Sequence, residues 1–297
     1  MFNSLTEIAK KIKPIGFSGL SIYDVALFFW KGLMEGAITT RASSLAFNFF
    51  LAFFPSIIVF FTLIPYIPVN GLQETLMELL TTVLPPSTNE LTFQTLDDII
   101  NNPRGGLLSL GFLLALYFST NGINSLIEAF NYSYHIRESR PIIQQRILSL
   151  ALTLLLSIIL IIAIGLIIFG KYSVNYLIEY ELISQYEKTL ILYGKWIVIL
   201  LILFFGISIL FHIGPSTRHK WKLFTTGATF ATLGIIITSL AFNYYINHFS
   251  QYNRVYGSIG TLMIILVWMY FNSIILLTGF ELNASIANAK EKNNKLE

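Results

Sequence analysis

The chain has 297 residues, 55% of them hydrophobic and only 12% charged, with 19 Lys+Arg, 16 Asp+Glu, 4 His and no Cys. A soluble domain carries roughly 25% charged residues, so a chain with a mean hydropathy of +0.68 cannot cover a water-exposed surface, and an ordinary cytosolic enzyme is excluded. The lack of cysteine excludes disulfides, thiolate metal sites and cysteine nucleophiles.

Near the N-terminus Lys10, Lys11 and Lys13 precede Pro14, Gly16 and Gly19 with no long apolar core, so no signal peptide is expected. Ile22, Val25, Ala26, Phe29, Leu33 and Ala37 recur at helical spacing opposite Asp24, Lys31 and Glu35. That pattern predicts an amphipathic helix lying on the inner membrane surface. The first long apolar run extends from about Ser43 to Pro65, with Pro55 at its middle. Such a proline predicts a kink, which suits a rigid bundle and a moving gate equally. From Tyr66 to Arg104 the chain is net acidic. There Leu72, Leu76, Leu79, Leu80 and Val83 predict an amphipathic helix stopped by Pro85-Pro86, and Ser87 with Glu90 makes a capping box for a second.

Five further windows are free of charge: Arg104 to Glu128, Arg146 to Lys171, Lys195 to Arg218, Lys222 to Arg254, and Arg254 to Glu281. Each exceeds the ~20 residues that cross a hydrocarbon core of ~30 Å. Leu, Ile and Phe dominate them, which favours helices over barrel strands. The expected fold is all-α: a polytopic membrane protein with six transmembrane helices, an N-terminal interfacial helix and a helical outer loop between spans 1 and 2. The expected boundaries are 1–42 for a cytoplasmic segment, 43–286 for the membrane domain and 287–297 for a cytoplasmic tail.

Of the 19 Lys and Arg, fourteen lie in the N-terminal segment, the loops after spans 2 and 4, and the tail. The excess of bases on that side predicts that both termini are cytoplasmic. These juxtamembrane bases are too sparse for nucleic acid; the partner they suggest is membrane lipid with anionic headgroups on the cytoplasmic side. The pentapeptide Ser-Leu-Ala-Phe-Asn occurs at 44–48 and 239–243, but near opposite ends of two spans that run the same way, which argues for chance.

Polar side chains within spans are costly and tend to be functional. On span 2, Tyr117, Asn121, Asn124, Ser125 and Glu128 fall on one helical stripe, which Asn131, Tyr132 and His135 extend. Two readings stand: hydrogen bonding between helices, and one wall of a polar cavity open to the cytoplasm. Spans 1, 3 and 4 offer Asn48, Ser157, Ser208 and His212 as scattered partners, so water is the expected partner. Between spans 5 and 6, Asn253, Arg254, Tyr256, Gly257 and Gly260 suggest either a tight outer hairpin or an outer gate, with the glycines permitting close approach or a sharp re-entry. Glu281, at the inner end of span 6, can pair with Arg41 or with inner-loop bases, or serve as a proton or substrate partner.

Enzymatic patterns are missing. The histidines form no i, i+3 or i, i+4 pair, Asp97-Asp98 is the sole acidic dyad, and there is no P-loop, dinucleotide fingerprint or G-x-S-x-G. No catalytic residue, cofactor or metal is expected.

The order of several motifs resembles the YihY/BrkB family of bacterial inner-membrane proteins, once labelled ribonuclease BN, over residues 20–288. The carriers are Ser44-Leu45-Ala46-Phe47 with Phe54-Pro55, Leu84-Pro85, Asn124-Ser125-Leu126 through Asn131 to Arg140-Pro141, and Pro215-Ser216-Thr217-Arg218. They continue in the run Ser250 to Gly260, in Trp268-Met269-Tyr270 and in Gly279-Phe280-Glu281-Leu282-Asn283. Asn48 stands where the family often has an aromatic and Phe280 where it often has alanine. The resemblance implies six helices and an inner-membrane location. The family's associations with serum resistance and lipid export imply a transporter or lipid-translocating role, with a non-catalytic scaffold for envelope assembly as the alternative and a membrane-bound ribonuclease as a distant third.

Overall fold

The computed structural model describes residues 12–14, 17, 19–35, 37–66, 98–133, 138–179, 185–216, 224–248 and 251–294, and its regular structure is helical throughout. In chain order the helices are α1 (Ile22–Glu35), α2 (Ile38–Leu63, closed by a 3-10 turn at Ile64–Tyr66), α3 (Gly105–Ser133), α4 (Ile142–Glu179), α5 (Gln185–Ile213), α6 (Thr226–His248) and α7 (Gln251–Asn294). Six are long and apolar enough to cross a membrane, within Ile38–Tyr66, Gly105–Ser133, Ile142–Ala163, Tyr193–Ile213, Thr226–Tyr245 and Leu262–Lys290. They answer one for one to the six apolar windows. The helices expected in the acidic loop lie outside the described residues, apart from a helical turn at 98–101. There Asp98 pairs with Arg104 and accepts from Asn102 Nδ2 at 2.9 Å.

The chain divides into two compact units, residues 47–122 and residues 1–46 with 123–297. In the smaller unit α2 and α3 meet at glycines: a Cβ at Gly111 would stand 3.1 Å from Ile58 Cγ2, and one at Gly122 3.0 Å from the Phe49 ring. Helix α2 carries through Pro55 as one element, with Pro55 buried.

In the larger unit α1 opens on a capping serine: Ser21 Oγ accepts from Asp24 N at 3.1 Å and donates to Asp24 Oδ2 at 2.6 Å. It ends before Ala37, whose φ of 44° breaks the path into α2. Its buried side lies on the expected apolar stripe, with Val25 buried and Ile22 and Phe29 half-buried. Val25 packs with Leu20, Ile286 and Ala289 against the far end of α7, while Leu27, Trp30 and Met34 are the exposed apolar residues. At Val25 the stripe meets protein, because α7 runs on to Asn294 and covers it. Deeper in the unit, Phe130 of α3 stacks on Phe280 of α7 at 4.0 Å and meets Phe211 of α5 edge-on at 5.5 Å. All three rings are fully buried, so α3, α5 and α7 share one aromatic core. Phe280 touches both of the other rings.

Candidate functional site

The polar groups of the larger unit flank that aromatic core. Arg41 sits in the first turn of α2, and its Nη1 donates to Ala129 O at 2.6 Å and Ser133 Oγ at 2.9 Å. Both acceptors lie in the last turn of α3, where the helix dipole favours a cation. The guanidinium also lies 5.0 Å from the centre of the Tyr132 ring. Nη2 stands 3.9 Å from Glu281 Oε2, and the two side chains are 11% and 5% exposed. That is an ion-pair distance too long for a hydrogen bond. Among the described residues, Arg41 Nε and Nη2 make no hydrogen bond, so one edge of the guanidinium keeps its donors. The structure thus brings together Arg41 and Glu281, the two residues expected at the inner ends of spans 1 and 6.

The stripe on α3 divides between the two units. Tyr117 and Asn121 belong to the smaller, with Tyr117 62% exposed and its ring against Phe118. Asn124, Ser125 and Glu128 belong to the larger. Asn124 Nδ2 donates to Glu128 Oε1 at 2.7 Å, and Asn124 Oδ1 accepts from Gln145 Nε2 at 2.9 Å and Ser149 Oγ at 3.5 Å. Water is therefore not the needed partner at Asn124. Gln145 stands just before the charge-free window that begins at Arg146, and Ser149 just inside it, both in the first turns of α4. Ser125 is half-buried and Glu128 exposed.

A second polar cluster escaped the sequence reading as a unit. Asn131 ends α3 buried; its Nδ2 donates to Glu138 Oε2 at 2.6 Å, and its Oδ1 accepts from Ser216 N at 2.8 Å and Ser216 Oγ at 3.1 Å. Arg140 grips Glu138 through Nε at 2.7 Å and Nη2 at 2.9 Å, and Nη2 also reaches Gly214 O at 2.8 Å. One carboxylate thereby holds Asn131 and Arg140, whose own bonds to Ser216 and Gly214 clip the α3–α4 loop to the end of α5. Partial burial alone would raise the Glu138 pKa, but hydrogen bonds from the Arg140 side chain and backbone, the Arg140 charge and the Asn131 amide outweigh it and hold the carboxyl below its ordinary value. The signal was present in sequence as Arg140-Pro141 and Pro215-Ser216, two prolines that fix the loop ends, but nothing in one sequence pairs them.

At the start of α6 the orphan backbone donors are met from α7. Asn283 Oδ1 accepts from Gly227 N at 2.8 Å, Asn283 Nδ2 donates to Thr225 Oγ1 at 2.8 Å, and that hydroxyl oxygen accepts from Ala228 N at 3.2 Å. The expected hairpin residues Asn253, Arg254, Tyr256 and Gly257 lie in the first turns of α7, with their side chains outside the described set, and Gly260 is buried. Helix α7 runs through both glycines, so a sharp re-entry there is not what the backbone does. Among the described residues no three His, Cys, Asp or Glu gather as a metal site would require.

Comparison with known proteins agrees on a membrane protein. The chain is 30% identical over 252 residues to the putative ribonuclease-like protein YfkH of Bacillus subtilis, covering 85% of this chain and 91% of that one. It is 24% identical over 277 residues to the UPF0761 membrane protein NTHI0384 of Haemophilus influenzae, covering 92% and 98%. A UPF0761 membrane protein of Tolumonas auensis is 24% identical over 262 residues, covering 87% and 84%. No solved structure matches. The family model described as virulence factor BrkB matches residues 29–297, a stretch that takes in Arg41, the α3 stripe, the Glu138 clip and Glu281. A multi-pass membrane protein by its helices and a relative of these chains over nearly its whole length, this protein belongs to the BrkB virulence-factor family.

Proposed function

We propose that the protein is an inner-membrane transporter or lipid-translocating protein with both termini in the cytoplasm. The observation that carries this reading is the buried Arg41–Glu281 pair with guanidinium donors to spare. Ionisable groups within membrane spans are costly and mark substrate or ion pathways. The Nε–Nη2 edge of an arginine is also the fork that takes a carboxylate or phosphate in two parallel bonds. The excess of inner bases supports anionic headgroups as neighbours on the cytoplasmic side.

The test is reconstitution into vesicles and measurement of flux for labelled lipids of several headgroups and for small solutes. Flux above empty vesicles that falls with Arg41→Gln supports the reading; no flux for any of them refutes it. Orientation is checked separately by placing single cysteines at Asn102 and Lys290, where a membrane-impermeant reagent should label the first only from outside and the second only from inside. A second reading, a non-catalytic scaffold for envelope assembly, is favoured by Asn124, whose hydrogen bonds lock α3 to α4. Either reading makes the protein a non-enzyme. The ribonuclease-like name belongs to the Bacillus relative; RNA cleavage that co-purifies with this chain and is lost on one substitution would overturn the non-enzyme reading.

A further inference from the structure

Helix α3 carries an acid on a side that the described residues leave open. Leu110, Leu113, Tyr117, Asn124, Glu128 and Tyr132 are spaced by three, four or seven and so share one face. Both leucines and both tyrosines are at least half exposed, and Glu128 is exposed as well. An exposed leucine within a span meets hydrocarbon, so this face looks onto lipid. The α3 span covers 29 residues, or about 43 Å at 1.5 Å per residue, and the hydrocarbon core takes about 30 Å of that. Roughly 7 Å of helix is left among the headgroups at each end. Glu128 stands five residues, roughly 7–8 Å, before Ser133, where hydrocarbon gives way to headgroups.

A carboxylate at that level is costly unless a cation meets it. The side chain is already held for one. Asn124 Nδ2 donates to Glu128 Oε1 at 2.7 Å, and Asn124 Oδ1 accepts from Gln145 Nε2 at 2.9 Å, which ties the orienting amide to α4. Asn124 takes one of the roughly four lone-pair sites of the carboxylate. Among the described residues no Lys or Arg stands within ion-pair distance of Glu128. Three outside cations can be weighed. A divalent metal such as calcium asks for about six oxygens or more, and no further Asp, Glu or His gathers at Glu128 among the described residues. A quaternary ammonium has no N–H to give. A primary ammonium brings three donors and one charge, which match the open lone pairs and the single charge of the acid.

We propose that Glu128 binds the primary ammonium of a phospholipid headgroup, in the leaflet at that end of α3. A free amine has the same chemistry, but acyl tails hold a lipid's amine at the depth of the carboxylate and raise its effective concentration there. This is a claim of binding, and it depends neither on Arg41 nor on transport.

The full chain is purified in detergent and mixed with equal amounts of phosphatidylethanolamine and phosphatidylcholine of identical acyl chains, and the lipids it retains are counted by native mass spectrometry. The wild-type protein should keep phosphatidylethanolamine about fivefold over phosphatidylcholine, near the most that an exposed ion pair gives. Glu128→Gln leaves Asn124 an acceptor but removes the charge, and should bring the two lipids to parity. Asp98→Asn, before the other end of α3, should leave the preference unchanged. Parity in the wild-type protein means a carboxylate met by water or by the chain itself, and overturns the proposal with no variant needed. So does a preference that survives Glu128→Gln. A roughly tenfold molar excess of ethanolamine should not displace the lipid, because it lacks the tails that concentrate the amine; displacement would make the ligand a free amine and overturn the assignment to lipid.

Discussion

Gly227→Ala puts a methyl group where there is no room for it. The new Cβ would lie 2.0 Å from Gly279 O, 2.6 Å from Asn283 Cγ and 2.7 Å from Asn283 Oδ1. Ordinary contact begins near 3.4 Å, so α6 and α7 must separate by more than 1 Å or α6 must turn. Helix propensity pulls the other way, but by less than the ~1 kcal/mol that separates alanine from glycine in a helix interior, because Gly227 is the second residue of α6. Overpacking typically costs about 1–3 kcal/mol, here at the high end because the obstacle is backbone and not a flexible side-chain tip. The Gly227–Asn283 hydrogen bond is strained too, at about 0.6 kcal/mol for an average bond in a membrane protein. The balance is a net loss of about 3 kcal/mol, or a fall in thermal midpoint of roughly 6–12 °C at 2–4 °C per kcal/mol. Thermal unfolding of the detergent-solubilised protein measures it, with Gly165→Ala and Gly194→Ala as controls. A Cβ at either control meets nothing within 4 Å, so both should be neutral or slightly stabilising. If Gly227→Ala unfolds with the controls, the two backbones are not in contact and the account of this crossing is wrong.

Breaking the buried ion pair should be expensive in a recognisable way: Arg41→Ala leaves Glu281 buried without its cation and should cost about 3–5 kcal/mol, whereas Arg41→Met with Glu281→Gln should recover most of it, as thermal midpoints of the single and double variants would show. A double-mutant cycle of Asn124→Ala and Gln145→Ala should return a coupling of about 0.6 kcal/mol, with about 1.7 as the ceiling seen for such bonds; zero coupling would return Asn124 to water. Because the folded pKa of Glu138 is depressed below its ordinary 4.5, its contribution to stability is fully present above that value and is lost as pH falls through the folded value. The wild-type advantage over Glu138→Gln in thermal midpoint should therefore hold at pH 7 and shrink below about pH 4.5, and an advantage that grew on acidification would contradict the clip.

The six spans were legible because hydrocarbon imposes one demand, about 20 apolar residues in a row, and a single sequence displays it without ambiguity. The pairing of Arg41 with Glu281 was open to inspection for a related reason: few charges enter the spans, so few partners exist. What could not be read was which face a helix turns to protein. Val25 looks the same whether it meets lipid or Ile286, since both are apolar. Gln145 sits just outside the charge-free window that begins at Arg146, where composition argues for solvent, and only the register of α3 against α4 brings it and Ser149 to Asn124. The joining of Asn131 to Ser216 depends on loops meeting across 85 residues, and no local pattern encodes that.

The Asn131–Ser216 bond also imposes an order on how the molecule can be made. Asn131 leaves the ribosome 85 residues before its acceptor's partner does, which at 5–20 residues per second is a wait of roughly 4–17 s. Throughout that wait α3 is already apolar enough to enter the bilayer, and its terminal amide nitrogen can reach Glu138 seven residues on, but its Oδ1 still lacks the Ser216 donors. An amide stranded at the bilayer centre would have to find some other partner; at the end of the helix it can remain hydrated. Placing the clip at the rim of α3 lets early helices insert without waiting for late ones, and the arrival of α5 with Gly214 and Ser216 is what fastens the first half of the chain. The tie between the α3–α4 loop and the end of α5 is thus made last, a latch set by the direction in which the chain is made.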